Sequence, residues 1–166
     1  MRYTRPIALM CSLVLSASVF SAEPVKTLPG DITLNQAQQV VRAALRHAET
    51  IKVPMNIAVV DAGGNLKAFA RMDDAYLGSI DIAERKARTA RYFNMSTRAL
   101  GNAAQPGQSL YGIEATNNGL AIFAGGELLI DRKGVIVGSV GVSGGTVDED
   151  ESVAKAGARA LSGSTR

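Results

Sequence analysis

The sequence contains one cysteine among its 166 residues, Cys11, and this cysteine lies in an uncharged apolar segment close to the N-terminus. We expect that segment to be removed on export, which leaves a mature chain without a thiol. Such a chain needs no disulfide bonds in an oxidising compartment. It also lacks the thiolate that cysteine nucleophiles and zinc-thiolate sites require, so both of these chemistries are excluded.

Tryptophan is absent, and aromatic residues make up only 5% of the chain. Basic residues are not in excess either. Two of the 18 lysines and arginines, Arg2 and Arg5, fall in the segment that we expect to be removed, which leaves 16 against 15 acidic residues. Proteins that bind nucleic acid need a basic face and aromatic side chains on which bases can stack. A near-neutral domain with few aromatic residues is therefore not expected to bind nucleic acid.

The first 21 residues have the pattern of a secretory signal peptide. Two arginines precede an apolar stretch of fourteen uncharged residues, 7–20. A transmembrane anchor is the alternative, but a spanning helix needs roughly 20 apolar residues. We place the cleavage after Ser21 because small residues are preferred near the cleavage site, whereas a lipoprotein site at Cys11 would follow the bulky Met10. We therefore expect a periplasmic or secreted protein without a stable membrane anchor.

After the signal peptide we expect an extended lead-in over residues 22–32, one domain over residues 33–162 and a tail over residues 163–166. Thr33 followed by Gln36 is a capping box, in which each side chain bonds the other residue's free backbone N–H, so a helix should begin there. Its apolar residues recur at helical spacing and predict one buried face.

Beyond this helix the pattern alternates between short apolar strands and helices rich in small residues. Ser79 is expected to cap a second helix, Ser96 or Thr97 a short third one, and Thr146 with Glu149 forms a second capping box before the last helix. Five strands are predicted, at Asn56–Val60, Leu66–Ala70, Leu120–Phe123, Leu128–Asp131 and Val135–Val142. Consecutive antiparallel strands with helices before, between and after them indicate an α+β sandwich.

Two segments carry residues suited to binding chemistry. Gly144, Gly145 and Thr146 connect a strand to a helix, where backbone N–H groups can hold a phosphate or carboxylate at the positive end of the helix dipole. The alternative is that the acidic residues of that first helical turn complement the dipole themselves. In the second segment, Arg71 and Asp73 end the predicted hairpin.

Lys86 follows on the next helix, and with Arg71 it could hold a carboxylate, while Asp73 could transfer a proton. A long irregular segment of the kind that often lines a pocket contains four further candidates, Tyr111, Glu114, Thr116 and Asn117. The sequence has no metal-ligand cluster, no Ser-His-Asp set, no phosphate-binding loop and no dinucleotide motif. The catalytic residues are therefore unknown, and whether the protein is an enzyme stays open.

His47 is the only histidine, and it falls late in the first helix. It is either a partly exposed residue near the helix C-terminus, where a protonated imidazole interacts favourably with the helix dipole, or an axial ligand to a metal or haem. One histidine cannot form a metal site alone.

Four ordered motifs carry a family resemblance: AVVDAGGNLKAFARMDDA, SIDIAERKARTARYF, AIFAGGELLI and GVIVGSVGVSGGTVDEDESVAKAGA. Together they resemble the GlcG/HbpS family of haem-binding domains, to which the C-terminal domain of PduO-type corrinoid adenosyltransferases is related. The resemblance extends from Leu34 to Leu161. The matching positions include Asp61, Gly63, Gly64, Arg71, Met72, Asp73, Lys86, Thr89, Ala90, Gly125, Gly126, Ser143, Gly144 and Gly145.

The resemblance implies a profilin-like sandwich with a five-stranded antiparallel sheet, assembled as a homo-oligomer, often a tetramer or octamer. It also implies binding of haem, with a corrinoid as the alternative, and in some members a redox-sensing or haem-degrading role. The leading hypothesis is an exported haem-binding protein that senses or handles haem, with propionates held by Arg71, Lys86 or the turn at Gly144. The alternatives are a small enzyme acting on a carboxylate or on haem, and a non-catalytic oligomeric accessory module of a periplasmic redox system.

Overall fold

The structure is a computed structural model that describes residues 30–162. The predicted signal peptide (1–21), most of the predicted lead-in (22–29) and the predicted tail (163–166) lie outside the described residues. Within residues 30–162, no helix is both long and apolar enough to span a membrane.

The described chain has four α-helices and four strands. The helices are α1 (Leu34–Ile51), α2 (Gly78–Phe93), α3 (Thr97–Ala103) and α4 (Val147–Ser162), and the strands are β1 (Asn56–Asp61), β2 (Leu66–Arg71), β3 (Gly126–Ile130) and β4 (Ile136–Ser143). The strands form one antiparallel sheet in the order β2-β1-β4-β3. A short 3-10 helix occupies Ile113–Ala115. The predicted α+β class is confirmed.

Side-chain caps set the start of three of these helices. Both bonds of the Thr33–Gln36 capping box are present at α1, and Ser96 accepts the Ala99 N–H at α3. At α4, the Thr146 hydroxyl accepts the Glu149 N–H while the Glu149 carboxylate accepts the Thr146 N–H. These predicted helix starts are confirmed because each depends on a local interaction between residues three apart.

The start predicted for α2 is wrong. Ser79 does not cap the helix: Leu77 already has helical backbone angles, and the helix begins at Gly78 without a side-chain cap. The Ser79 N–H donates to Tyr76 O at 3.2 Å. The turn that follows β2 thus leads directly into the helix and leaves Ser79 buried inside the first turn.

The sheet is covered by helices on both faces. α1 and α4 pack together on one face, where Ile57, Val59 and Val140 form part of the larger apolar core. α2 covers the other face, against Ala58 and Val60 of β1. The alternation of side chains along β1 therefore divides its residues between two cores.

α2 lies unusually close to β4 because small residues meet at the contact. A Cβ added at Gly141 would lie 2.0 Å from the Ala83 carbonyl oxygen and 2.4 Å from the Ala87 nitrogen. The Ser139 hydroxyl donates to Ala87 O at 2.6 Å. This close approach fixes where α2 presents its outer side chains.

The prediction of five strands is wrong: in the described part of the chain the sheet has four, and Leu120–Phe123 does not join it. The Leu120 N–H donates to Glu114 O at 2.9 Å, and the Ala121 N–H donates to the Thr89 hydroxyl at 3.1 Å. A Cβ at Gly101 would meet Ile122 O at 1.8 Å. The backbone of this segment therefore packs on α2 and α3 instead of pairing with a strand.

Candidate functional site

Arg71 and Asp73 lie at the end of the sheet where β2 leads into the turn before α2. Arg71 pairs with Asn56, and Asn56 pairs with Ser143 on its other side, so these residues are neighbours across three strands. Both Arg71 and Asp73 are exposed. Asn56 is fully buried, and its amide donates to Tyr76 O at 3.0 Å while its Oδ1 has no partner among the described residues.

Lys86 is buried, at 0% exposure, and its ammonium is already bonded on several sides. Its Nζ donates to Val142 O at 2.9 Å and to Asp150 Oδ2 at 2.6 Å, and it lies 4.7 Å from the centre of the Phe123 ring. Burial lowers the pKa of Lys86, while the hydrogen bond to Asp150 and its charge oppose that shift. Lys86 therefore serves as an internal ion-pair partner and is not open to a ligand.

The backbone N–H groups of the Gly144 turn are taken by carboxylates of α4. The Gly145 N–H donates to Asp150 Oδ1 at 3.0 Å, and the Thr146 N–H and hydroxyl donate to Glu149 Oε2 at 2.8 and 2.9 Å. Asp150 joins this turn to Lys86, so two sequence-predicted sites meet there. Both sites are donors, and carboxylates of α4 accept from each of them, which matches the alternative that the helix supplies its own anions.

His47 lies half-buried between α1 and α4, where its Nε2 is 3.3 Å from the Ser152 hydroxyl. That hydroxyl donates its proton to Glu149 O at 2.9 Å. We therefore assign the proton to His47 Nε2, which donates to the serine oxygen. This bond occupies one of the two ring nitrogens through which a histidine can bind a metal.

A solvent-open cleft of about 300 Å³ lies between α2 and the segment that precedes β3. We call it the basic cleft because two arginines of α2 contribute to its wall. It is lined by Arg85, Arg88, Thr89, Tyr92, Asn117, Asn118, Gly119 and Leu120. It presents guanidinium groups, amides, a phenol and an aliphatic side chain to a common space.

The two arginines of the basic cleft are held differently. Arg85 Nε donates to Asp81 Oδ2 at 2.6 Å, and its Nη1 donates to the carbonyls of Asn118 and Gly119. Arg88 has a looser contact, with Nη1 3.5 Å from Glu84 Oε2. Arg88 can thus turn toward an anion more easily than Arg85 can.

Thr116 and Tyr111 belong to the segment that leads into the basic cleft. The exposed Thr116 hydroxyl donates to Ile113 O at 2.7 Å and accepts from the Asn117 amide at 2.9 Å. Tyr111 is 66% exposed. The chain places Thr116 directly beside the cleft wall, whereas Arg71, Asp73, Lys86 and the Gly144 turn are not among the residues that line it.

Sequence reasoning missed the arginines. The spacings Asp81–Arg85 and Glu84–Arg88 indicate ordinary ion pairs on a solvated helix face, and both pairs form. The position of the loop opposite them is a tertiary contact between residues more than thirty apart. One available signal was the run Asn117-Asn118-Gly119, whose composition favours left-handed backbone and hence a turn.

Two glutamates should give opposite pH responses. Burial raises the pKa of Glu127, and contact with Thr146 lowers the pKa of Glu149. A group whose pKa is higher in the folded than in the unfolded protein makes the fold less stable as the pH rises. A group whose pKa is lower in the folded protein stabilises the fold at a pH above its unfolded-state pKa. Glu127→Gln should therefore stabilise the protein at pH 7 and Glu149→Gln should destabilise it, with both differences vanishing as the pH falls well below about 4. Urea unfolding from pH 3 to 8 would check this, and shifts of the same sign would contradict it.

An antiparallel sheet with helices on both faces, and a basic cleft beside one of those helices, defines a small α+β domain with a solvent-open pocket. The chain belongs to the family described as haem degrading protein HbpS-like, whose model matches residues 32–159. The resemblance to the GlcG/HbpS family is thereby confirmed.

Three comparisons illustrate the relationship. The chain is 43% identical over 124 residues to an uncharacterized 15.0 kDa protein of the dhaT-dhaS intergenic region of Citrobacter freundii, covering 75% of this chain and 87% of that one. It is 37% identical over 130 residues to the corrinoid adenosyltransferase PduO of the same organism, covering 78% of this chain but only 39% of PduO. The crystal structure of a PduOC–haem complex superposes with a TM-score of 0.74 at 34% identity, covering 79% of this chain and 95% of that one.

Proposed function

We propose that the protein binds haem and that the basic cleft receives the propionate-bearing edge of the macrocycle. The observation that carries this assignment is the pairing of two arginines with Tyr92 and Leu120 in one cleft. Guanidinium groups bind carboxylates through charge-assisted hydrogen bonds. Family membership and the haem complex of the similar PduOC domain support the choice of haem.

The size of the cleft is consistent with binding one edge of haem. At about 300 Å³ it lies at the lower end of the roughly 300–1,000 Å³ that ligand pockets span. The propionates would meet Arg88, and Tyr92 and Leu120 would contact the adjacent apolar ring edge. Thr116, beside the cleft, offers a hydroxyl oxygen. Bound haem would supply iron-centred redox chemistry, for which this chain's residues provide orientation and charge.

The proposal assigns no step to Asp73, which is exposed at the sheet end and does not line the cleft. It likewise gives no ligand contact to Lys86, whose ammonium already donates to the Val142 carbonyl and the Asp150 carboxylate. A corrinoid is the alternative tetrapyrrole, since PduO is a corrinoid adenosyltransferase. We further propose that the chain is exported with removal of residues 1–21, and that it forms a homo-oligomer, a tetramer or an octamer.

Replacing Arg88 by alanine should weaken haem binding about tenfold or more, because a hydrogen bond to a charged group contributes roughly 1.5–3 kcal/mol. A Soret titration of the purified mature protein measures this. Arg46→Ala is the matched control, since Arg46 is an exposed arginine on α1 and does not line the cleft. Native mass spectrometry of the same preparation reads the mass of the processed chain and the number of subunits.

Two results would reject the assignment. An unsaturable Soret change in the unmodified protein would remove haem as the ligand, and a parallel titration with cobalamin would then decide for or against the corrinoid. Equal affinities of the Arg88→Ala and Arg46→Ala variants would keep haem but remove the basic cleft as its site.

A further inference from the structure

The wall of the basic cleft opposite α2 is built from three consecutive residues with left-handed backbone. Asn117, Asn118 and Gly119 have φ angles of 51°, 59° and 95°. L-residues avoid this region for steric reasons, and they enter it as single residues far more often than in succession. Glycine adopts it freely, and asparagine tolerates it. Two adjacent asparagines in this conformation therefore need an interaction that holds them there.

Arg85 provides that interaction. One nitrogen of its guanidinium, Nη1, donates to the carbonyls of both Asn118 and Gly119, while Nε is fixed by Asp81. The left-handed turn directs two successive carbonyl groups at the same donor. A Cβ at Gly119 would lie 2.2 Å from Arg85 Nη1, so this contact also requires the absence of a side chain.

The other bonds of the turn are local. The Gly119 N–H donates to Thr116 O at 2.9 Å, and the Asn117 amide donates to the Thr116 hydroxyl at 2.9 Å. The side chains of both asparagines are exposed. Along this stretch, two sets of hydrogen bonds connect the turn to α2: those from Arg85 to Asn118 and Gly119, and the one from the Ala121 N–H to the Thr89 hydroxyl.

We propose that Arg85 is a positioning residue, which holds residues 117–119 in their left-handed conformation and so shapes the cleft, whereas Arg88 meets the anionic group of the ligand. The division of roles follows from how the two guanidinium groups are engaged. It rests on the proposed function for the identity of the ligand, but the part that concerns the turn does not depend on any ligand. In this assignment the backbone conformation of Asn118 shapes the cleft, and its side-chain amide has no role.

Two substitutions at one position separate the backbone from the side chain. Asn118→Gly and Asn118→Ala both remove the side-chain amide, but only glycine adopts a φ near 59° without a steric penalty. We expect the alanine variant to bind haem about tenfold more weakly than the glycine variant, in line with the penalty for a left-handed L-residue. We also expect faster amide hydrogen exchange in residues 113–121 of the alanine variant without any ligand.

The role of Arg85 is tested in the same assays. Arg85→Ala should accelerate exchange in residues 113–121 of the ligand-free protein, and combining it with Asn118→Gly should restore part of the protection and part of the haem affinity. Arg88→Ala should weaken haem binding without changing exchange in this segment. A role limited to charge would leave exchange unaltered in all of these variants.

Equal affinities and equal exchange in the glycine and alanine variants would overturn the proposal, because the left-handed backbone at Asn118 would then have no effect on the cleft. Unchanged exchange in Arg85→Ala would overturn it as well. If the unmodified protein bound no haem, the proposed function would fail, and hydrogen exchange in the ligand-free variants would still decide the role of the turn.

Discussion

Lys86→Met should lower the free energy of unfolding by about 3–5 kcal/mol, the range measured when one partner of a buried ion pair is removed. Methionine nearly preserves the length of the side chain, so the loss is mainly that of the charge and its donors. Asp150, whose side chain is 4% exposed, would keep a carboxylate without its cation. The Val142 carbonyl would also lose a donor. Domains of this size have stabilities of roughly 5–15 kcal/mol, so urea denaturation followed by circular dichroism should show a large shift.

The matched control is Lys155→Met, which removes a half-exposed lysine 3.2 Å from Glu151. Pairs of this kind contribute about 0.3–0.5 kcal/mol. In the double variant Lys86→Met with Asp150→Asn, the carboxylate is gone while an amide oxygen still accepts the Gly145 N–H, so part of the stability should return. A loss below about 1 kcal/mol in Lys86→Met would show that the pair is not the buried contact described above.

Gly141→Ala is expected to destabilise the fold by about 3 kcal/mol or more, at the upper end of the range for overpacking. The added methyl group would lie 2.0 Å from Ala83 O, a backbone atom that cannot rotate away. α2 would have to move off the sheet. Because α2 carries one wall of the basic cleft, haem affinity should fall in the same variant.

Gly78→Ala is the control for this substitution. An added Cβ at Gly78 has no neighbour within 4 Å. Alanine should therefore be neutral there, or stabilise the fold by about 0.4–1 kcal/mol because it lowers the conformational entropy of the unfolded chain. Equal unfolding midpoints for the two alanine variants would mean that α2 has room to shift, contrary to the contact seen at Gly141.

Interactions between residues close in sequence account for what the sequence predicted correctly. Capping boxes at Thr33 and Thr146 depend on residues three apart, and the hairpin at Asp61–Asn65 depends on turn chemistry. The extra strand at Leu120–Phe123 was predicted because a short apolar run looks the same whether it pairs in a sheet or packs under a helix. Tertiary contacts decide between these outcomes, among them the bond from Ala121 to Thr89 and the close approach of Gly101 to Ile122.

The site was harder to predict for the same reason. Lys86 and the Gly144 turn were each predicted to hold an external anion, but their common partner is Asp150, which is 64 residues from Lys86. Composition cannot show that one carboxylate accepts from both of them. Arg85 and Arg88 were interpreted as solvated, because no nearby part of the sequence indicates that a loop lies opposite them.

The pairing of Lys86 with Asp150 also determines when the chain can complete its fold. Asp150 lies in the last helix, so during synthesis it emerges after every strand of the described sheet. Until then α2 would have to bury an ammonium group without its counter-ion, which is strongly unfavourable. We therefore expect the sheet and α2 to close stably only when the C-terminal helix is present, so that the domain folds as one cooperative unit and not in successive parts.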